Sequence, residues 1–281
     1  MLEFMPMSEI HPTAILGKKV QLGMGNRIGP HVVIEDGVKL GSHNVIYASA
    51  YLCKGTEIGS HNEIHMGAVI GHTPQDLSYK GASTFTRIGD KNQIREYVTI
   101  HRGTKPETAT VIGNENYIMA YCHIAHNCEL GNQIIMVNQS SLTGYCIVED
   151  QAFLSGMTGF HQFTRIGRLA MVSALSACNK DIPPFMICGG RPAVVLSINV
   201  VGLRRAGIRE SARDEIKKAY KYLYRSGLAV SSALEKIKEE LTSPEVGQLV
   251  RFIEASKRGI LAAGEESGDL VLPRKKPSVT A

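Results

Sequence analysis

Residues 10–70 read IHPTAILGKKVQLGMGNRIGPHVVIEDGVKLGSHNVIYASAYLCKGTEIGSHNEIHMGAVI. A large aliphatic side chain returns at every sixth position: Ile10, Leu16, Leu22, Ile28, Ile34, Leu40, Ile46, Leu52, Ile58, Ile64 and Ile70. A helix repeats at about 3.6 residues and a plain strand at about 2, so neither generates this period. Two positions before most of these aliphatics lies a small, β-branched or asparagine residue, as at Val20, Asn26, Val32, Asn44, Ala50 and Asn62. Glycine often follows the aliphatic, as at Gly17, Gly23, Gly41 and Gly59. A unit of one short strand and one turn, with one large and one small side chain inward, builds a flat face. Three faces close a coil of about 18 residues, whose equivalent positions stack at about 4.8 Å.

The register extends well beyond residue 70. Asp76 and Ala82 interrupt it, Ile88, Ile94 and Ile100 resume it, and after Pro106 it runs from Ile112 through Ile118, Ile124, Leu130, Met136, Leu142, Val148, Leu154, Phe160 and Ile166 to Val172. Residues 1–190 are therefore predicted to form a mainly β unit, a parallel β-helix of hexapeptide repeats with roughly nine coils. Likeness to the hexapeptide class implies a left-handed coil, against the usual crossover rule. The interruptions at 71–87 and 102–110 are rich in Pro, Gly and polar residues, and read as loops ejected from the wall, where functional groups are commonly placed. Beyond Ile182-Pro183-Pro184 the period ends. From Ser197 to about Leu261 the pattern is helical, so 191–263 reads as a small α-helical C-terminal domain. Within it Ser243-Pro244-Glu245 has the form of an N-cap, first-turn proline and acidic first turn. The composition of 264–281 predicts a disordered tail.

Composition agrees with a narrow prism. The 281 residues include 28 Gly but only 7 Phe, 10 Tyr and no Trp, too few rings for an ordinary layered core. Charged residues make up 20% and the net charge is +5, which excludes compositional disorder and gives no signature of nucleic acid binding. No apolar run is long enough to span a membrane and no secretory leader is evident near Met1, so the expected location is cytoplasmic. Six cysteines without short regular spacing read as reduced thiols.

The densest chemical cluster is Cys122-His123-Ile124-Ala125-His126-Asn127-Cys128. Two Cys and two His so close together suggest zinc. Their register opposes it, because Cys122 and Cys128 fall in inward slots on different faces, so no metal is expected. His123 and His126 fall in outward or turn slots. One coil beyond His126 is Gly144, and one coil further is Gln162 beside His161. An imidazole, a bare backbone and an amide should then line one vertical groove. That set suits acyl transfer, with a histidine removing a hydroxyl proton and a backbone N–H stabilising an oxyanion. Surface polar residues on a repeat wall would show the same spacing. There is no Gly-x-Ser-x-Gly elbow, and none is needed if the acceptor hydroxyl attacks directly. Arg204, Arg205, Arg209, Arg213, Lys217, Lys218, Lys221 and Arg225 form a basic run, either a solvated helix face or a docking surface for an acidic partner.

Over about residues 8–262 the sequence resembles the UDP-N-acetylglucosamine O-acyltransferases, which depend on acyl carrier protein and open lipid A synthesis. The segments carrying the likeness are Pro74-Gln75-Asp76-Leu77, Ile100-His101-Arg102-Gly103-Thr104, His123 to Cys128, His161-Gln162-Phe163, Asp181-Ile182-Pro183-Pro184, Ile198-Asn199 with Gly202-Leu203, and Tyr224-Arg225-Ser226-Gly227. The resemblance implies a homotrimer with sites between neighbouring prisms, and no cofactor beyond the phosphopantetheine that carries the donor. It implies His126 as general base on the sugar 3-hydroxyl and Gly144 as backbone oxyanion donor. Asp76 and His123 match sugar-contacting positions. His161, Gln162, Asn199 and Arg205 match positions near the donor or the nucleotide phosphates, and the basic helices would receive the carrier protein.

The sequence also departs from the pattern. Ser78 stands where many relatives have lysine, Asn127 where many have aspartate, and Tyr145 where histidine is common. Val201 replaces an acidic residue and Ala206 an arginine, which leaves a 3-amino UDP-sugar as an alternative acceptor. Ser173-Ala174 lies in the segment that gauges acyl length, and predicts a somewhat shortened acyl pocket. The rivals are the related N-acyltransferase of the same pathway, which would carry a uridine-binding domain before Ile10, and a zinc carbonic anhydrase on the same prism. A non-enzymatic repeat scaffold is the third.

Overall fold

The computed structural model describes residues 7–264. Most of the repeat appears as strands of two residues, which above the first coil place their aliphatic side chains in the interior. Ile34, Ile46, Leu52, Ile64, Ile70, Ile94, Ile100, Ile118 and Ile124 are essentially inaccessible. The strands assemble into three parallel sheets, of eleven, nine and eight strands, that form the walls of a triangular prism. In the lower coils the pairing offset is the expected one, as in Ile10 with Ile28 and Ile46 with Ile64. Across the interruptions Ile70 pairs with Ile100, and Ile88 with Ile112. Both insertions are multiples of six residues long, which is why the sequence register survives them.

Each corner contains a residue in the left-handed region of backbone space, among them Lys19, His31, His43, Tyr97, Tyr121, Asn127 and Tyr145, at φ of 56–61°. Most are not glycine, so the stacked ladder holds a conformation that L-residues seldom choose. The glycines after the aliphatics have another cause. A methyl group on Gly41 would lie 2.6 Å from the Gly59 carbonyl oxygen of the next coil. At that corner Asn26, Asn44, Asn62, Asn92 and Asn116 stack inside; each passes one amide hydrogen to a glycine carbonyl above, and all but Asn26, which turns to Gly23 O, pass the other to the asparagine oxygen below.

The ejected loops are shorter than expected. Strands run through Val69–His72 and Phe85–Ile88, and through Thr99–His101 and Ala109–Ile112, leaving 73–84 and 102–108 outside the wall. The prism also continues past residue 190. Met186–Gly190 adds a rung and Ala193–Ile198 folds back antiparallel on it, so Ser197 and Ile198 are strand and not helix. Four helices follow: α1 (Val200–Arg205), α2 (Glu210–Tyr224), α3 (Val230–Glu240) and α4 (Pro244–Glu254). Pro244 and Glu245 open α4 as predicted, but Ser243 makes no side-chain capping bond. Its N–H donates to Glu215 at 2.8 Å instead. Buried Asp181 ties the parts together, accepting from Arg165 N–H at 2.9 Å and from the Ser256 hydroxyl at 2.7 Å. Of the predicted tail, 265–281 lies outside the described residues, whereas Gly264 N–H donates to Val195 O at 2.8 Å.

Candidate active site

Both ejected loops leave the prism at the same corner, the one between His123–Ile124 and Glu129–Leu130 in the coil above them. They converge on His126. Its Nε2 lies 3.1 Å from Asp76 Oδ2, carried by the first loop. Its Nδ1 lies 3.2 Å from Asn127 Oδ1. Asn127 in turn accepts from the Thr104 N–H at 3.0 Å and from the Thr104 hydroxyl at 2.9 Å, from the second loop. The turn slot therefore does not leave His126 open to solvent as the repeat pattern suggested. The loops cover it, and it is 3% exposed.

Gly144 lies one coil above. A methyl group there would sit 2.3 Å from His126 Cε1, so only glycine lets the imidazole lie across this corner. The Gly144 N–H makes no hydrogen bond among the described residues. The stacking continues through Tyr145 N–H to His126 O and Phe163 N–H to Gly144 O, which puts Gln162 one rung higher in the same column. His161 beside it is exposed. The imidazole, bare backbone and amide aligned by coil spacing thus stack in one column, but the ejected loops cover the imidazole in place of an open groove.

A row of histidines approaches from below. His123 accepts from or donates to Thr99 Oγ1 at 2.7 Å, and His101 meets it edge-on with ring centroids 4.8 Å apart. Burial, reinforced by the neighbouring His123, His72 and His126, pulls the His101 imidazole down to about 4. Burial and then His126 lower His123 likewise. Both rings are held neutral near pH 7. Asp76 is lowered by the Ser78 hydroxyl and N–H, the latter at 2.8 Å, and by His126, so it stays a carboxylate.

The other predicted positions are placed differently. Asn199 caps α1, its Oδ1 accepting from Gly202 N–H at 2.9 Å and its Nδ2 donating to Leu169 O at 2.9 Å. Arg205 is exposed at the far end of that helix. No hydrogen bond or ion pair among the described residues joins either to the His126 group. Ser173 packs against Gly189, where a methyl group would come within 2.9 Å of its Cβ, and Ala174 is exposed. Cys122 and Cys128 are buried, and burial pushes the Cys122 thiol up to about 11. Among the described residues no group of three or more His, Cys, Asp or Glu is arranged to hold a metal. Two contacts were absent from the sequence reading. Tyr145 is one coil above Asn127, so the spacing that found Gly144 could have found it. Thr104 sits on an ejected loop, where the period says nothing.

With this geometry in place, comparisons with known proteins are informative. A family model described as UDP-N-acetylglucosamine O-acyltransferase, domain 2, matches residues 181–261. A curated acyl-[acyl-carrier-protein]--UDP-N-acetylglucosamine O-acyltransferase from Janthinobacterium sp. (strain Marseille) is 45% identical over 261 residues, covering 91% of this chain and 100% of that one. The chain belongs to the UDP-N-acetylglucosamine O-acyltransferase family. The relative of the same name from Gloeothece citriformis is 44% identical over 190 residues, 68% of this chain and 69% of its own. Among solved structures, the family member from Bacteroides fragilis 9343 superposes with a TM-score of 0.82 at 41% identity, over 91% of this chain and 98% of that one. That from Francisella novicida reaches 0.87 at 35% identity, over 90% and 94%. The fold is accordingly the family's left-handed parallel β-helix with a helical C-terminal part.

Proposed function

We propose that the protein transfers an (R)-3-hydroxyacyl chain from acyl carrier protein to the 3-hydroxyl of UDP-N-acetylglucosamine, the first step of lipid A biosynthesis, with His126 as general base. The observation that carries this reading is the His126 ring laid over Gly144, with Nδ1 held by Asn127 and Nε2 directed to the loop that carries Asp76. Incoming sugar displaces the Asp76 contact and brings its hydroxyl to Nε2, where Asp76 accepts from a neighbouring sugar group. Nε2 takes the hydroxyl proton as the oxygen attacks the thioester carbon. Gly144 N–H donates to the oxygen that becomes negative. Collapse breaks the C–S bond, and the imidazolium returns the proton to the departing thiolate, leaving ester and carrier thiol. His123, His161 and Gln162 supply polar contacts along the column, and Asn199 and Arg205 belong to the donor and nucleotide side.

No resident cofactor or metal enters this chemistry, since the donor arrives on phosphopantetheine. The exposed Arg204, Arg205, Arg209, Lys217, Lys218 and Lys221 suit an acidic carrier protein. A homotrimer is supported by one corner of the prism, where Tyr97, Tyr121, Met157 and Leu175 are each more than half exposed in a column. A cytoplasmic location fits a pathway fed by acyl carrier protein, and no helix among the described residues is long and apolar enough to cross a membrane. Curated relatives named as O-acyltransferases favour the ester over the 3-amino sugar, the later N-acyltransferase and the carbonic anhydrase. The test is to incubate the protein with carrier thioesters of graded chain length and UDP-N-acetylglucosamine or its 3-amino analogue, and weigh the product. An ester is expected, formed best with shorter donors, the preference that the Ser173-Ala174 segment implies by resemblance. Absence of any acylated sugar would overturn the reading, and an amide alone would transfer it to the amino sugar.

A further inference from the structure

The two nitrogens of His126 face two acceptors, and the proton must be on a particular one for the base to work. Asn127 Oδ1 faces the backbone N–H of Thr104, which can only donate, so the atom there is the amide oxygen and not the amide nitrogen. The same oxygen faces His126 Nδ1 at 3.2 Å, and that nitrogen must therefore carry the hydrogen. While Asp76 Oδ2 lies 3.1 Å away, only a protonated Nε2 can face that carboxylate; once the sugar displaces Asp76 and the ring is neutral, the hydrogen stays on Nδ1 and Nε2 offers its lone pair to the acceptor hydroxyl. The Thr104 hydroxyl also donates to Asn127 Oδ1, so the 3.0 Å contact between Thr104 Oγ1 and Tyr145 must be a hydrogen bond given by the tyrosine. The chain of donors runs from Tyr145 O–H to Thr104 O–H to Asn127 Oδ1, and such aligned chains reinforce one another. Tyr145 is itself fixed, its ring edge-on to His126 at 5.3 Å and stacked on Phe163 at 4.9 Å.

We propose that Thr104 and Tyr145 are positioning residues that lock the Asn127 amide with its oxygen toward His126, and so hold the imidazole in the Nδ1–H tautomer required of the base. A neutral amide has two faces, and an unrestrained Asn127 could turn its NH2 toward Nδ1. That would move the proton to Nε2 and leave no base facing the substrate. A carboxylate in this place would have no such ambiguity, so the use of Asn127 requires a second layer. The second ejected loop supplies it, because Thr104 belongs to the 102–108 segment.

This inference rests on the acyl-transfer reading, and His126→Ala separates the two. If that variant retains transfer, the reading itself fails. Given a loss there, Thr104→Val is expected to lower kcat by roughly ten- to hundredfold with KM for both substrates nearly unchanged, the pattern of a misassigned tautomer. Thr104→Ser should restore most of the rate. Tyr145→Phe removes only one oxygen and should lower kcat several-fold, which keeps the proposal testable if Thr104→Val does not fold. Asn127→Asp should move the acid limb of the pH–rate profile to higher pH by roughly one unit, because a carboxylate stabilises the protonated ring. The other groups facing that ring are Asp76 from the first loop, His123 and His101 on the strands below, and the Tyr145 ring, all unchanged in this variant. Wild-type kcat in both Thr104→Val and Tyr145→Phe, or an unmoved pH profile in Asn127→Asp, would overturn it.

Discussion

Two corners of the prism are built from the same six-residue turn and have opposite fates. At the first, Asn62 donates to Asn44 Oδ1 at 3.0 Å and to Gly89 O at 3.0 Å, and accepts from both Asn92 N–H and its side chain. Every polar atom is committed to the next rung. At the second, two loops of foreign length interrupt the stack, and His126, Asn127 and Tyr145 bond sideways to those loops. Repetition makes a corner rigid, and interruption makes it available for chemistry. The first corner should accordingly control stability without touching the rate, and the second chiefly the rate.

The largest effect expected is at His126. His126→Ala should reduce kcat by about a thousandfold, since general-base help is typically worth about 10²–10⁴, while circular dichroism shows the folded prism intact. Gly144→Ala comes next. Its methyl must push the imidazole aside, and activity measured at saturating substrate should fall about a hundredfold with little change in melting temperature. The opposite pattern is expected from Asn62→Ala, which leaves Asn92 and Gly89 without their bonds. Calorimetry should show a loss of about 1–3 kcal/mol, with kcat of the folded protein unchanged. A rate loss in Asn62→Ala would erase the distinction between the corners.

The last effect is a pH dependence of stability at the foot of the second ejected loop, where His101 lies. His101 is held at about 4 against a usual 6.5, so between these values the unfolded chain binds a proton that the folded one does not. Stability is thus full above pH 6.5 and falls as the pH drops toward 4, by at most about 1.4 kcal/mol per pH unit from this one group. His101→Gln should flatten the melting-temperature profile over that window. A variant as steep as wild type would show that the histidine row does not carry the effect.

How much of this was legible in the sequence follows from what repeats. Ile10 to Val172 announced the prism because each rung needs one aliphatic inside. The spacing from His126 to Gly144 and Gln162 announced the column because equivalent positions must stack. The Gly-Asn corner was visible only as glycines and small residues, and its ladder of bonds was not. Asp76 and Thr104 could not be aligned with His126 from spacing, since both sit where the register is suspended. Asn199 matched a ligand position by resemblance, yet its amide is spent within the chain on capping α1.

The sequence alone determined the walls and the column of His126, Gly144 and Gln162, because a period of six admits one way of burying its aliphatics; the last rung, Met186–Gly190, lay beyond the period. Only the tertiary structure decided that both loops return to one corner, that they bury His126, and that one brings Asp76 to Nε2 while the other brings Thr104 to the Asn127 oxygen that faces Nδ1. Loop paths depend on contacts between residues far apart in the chain, and no local pattern encodes which nitrogen such a contact will reach.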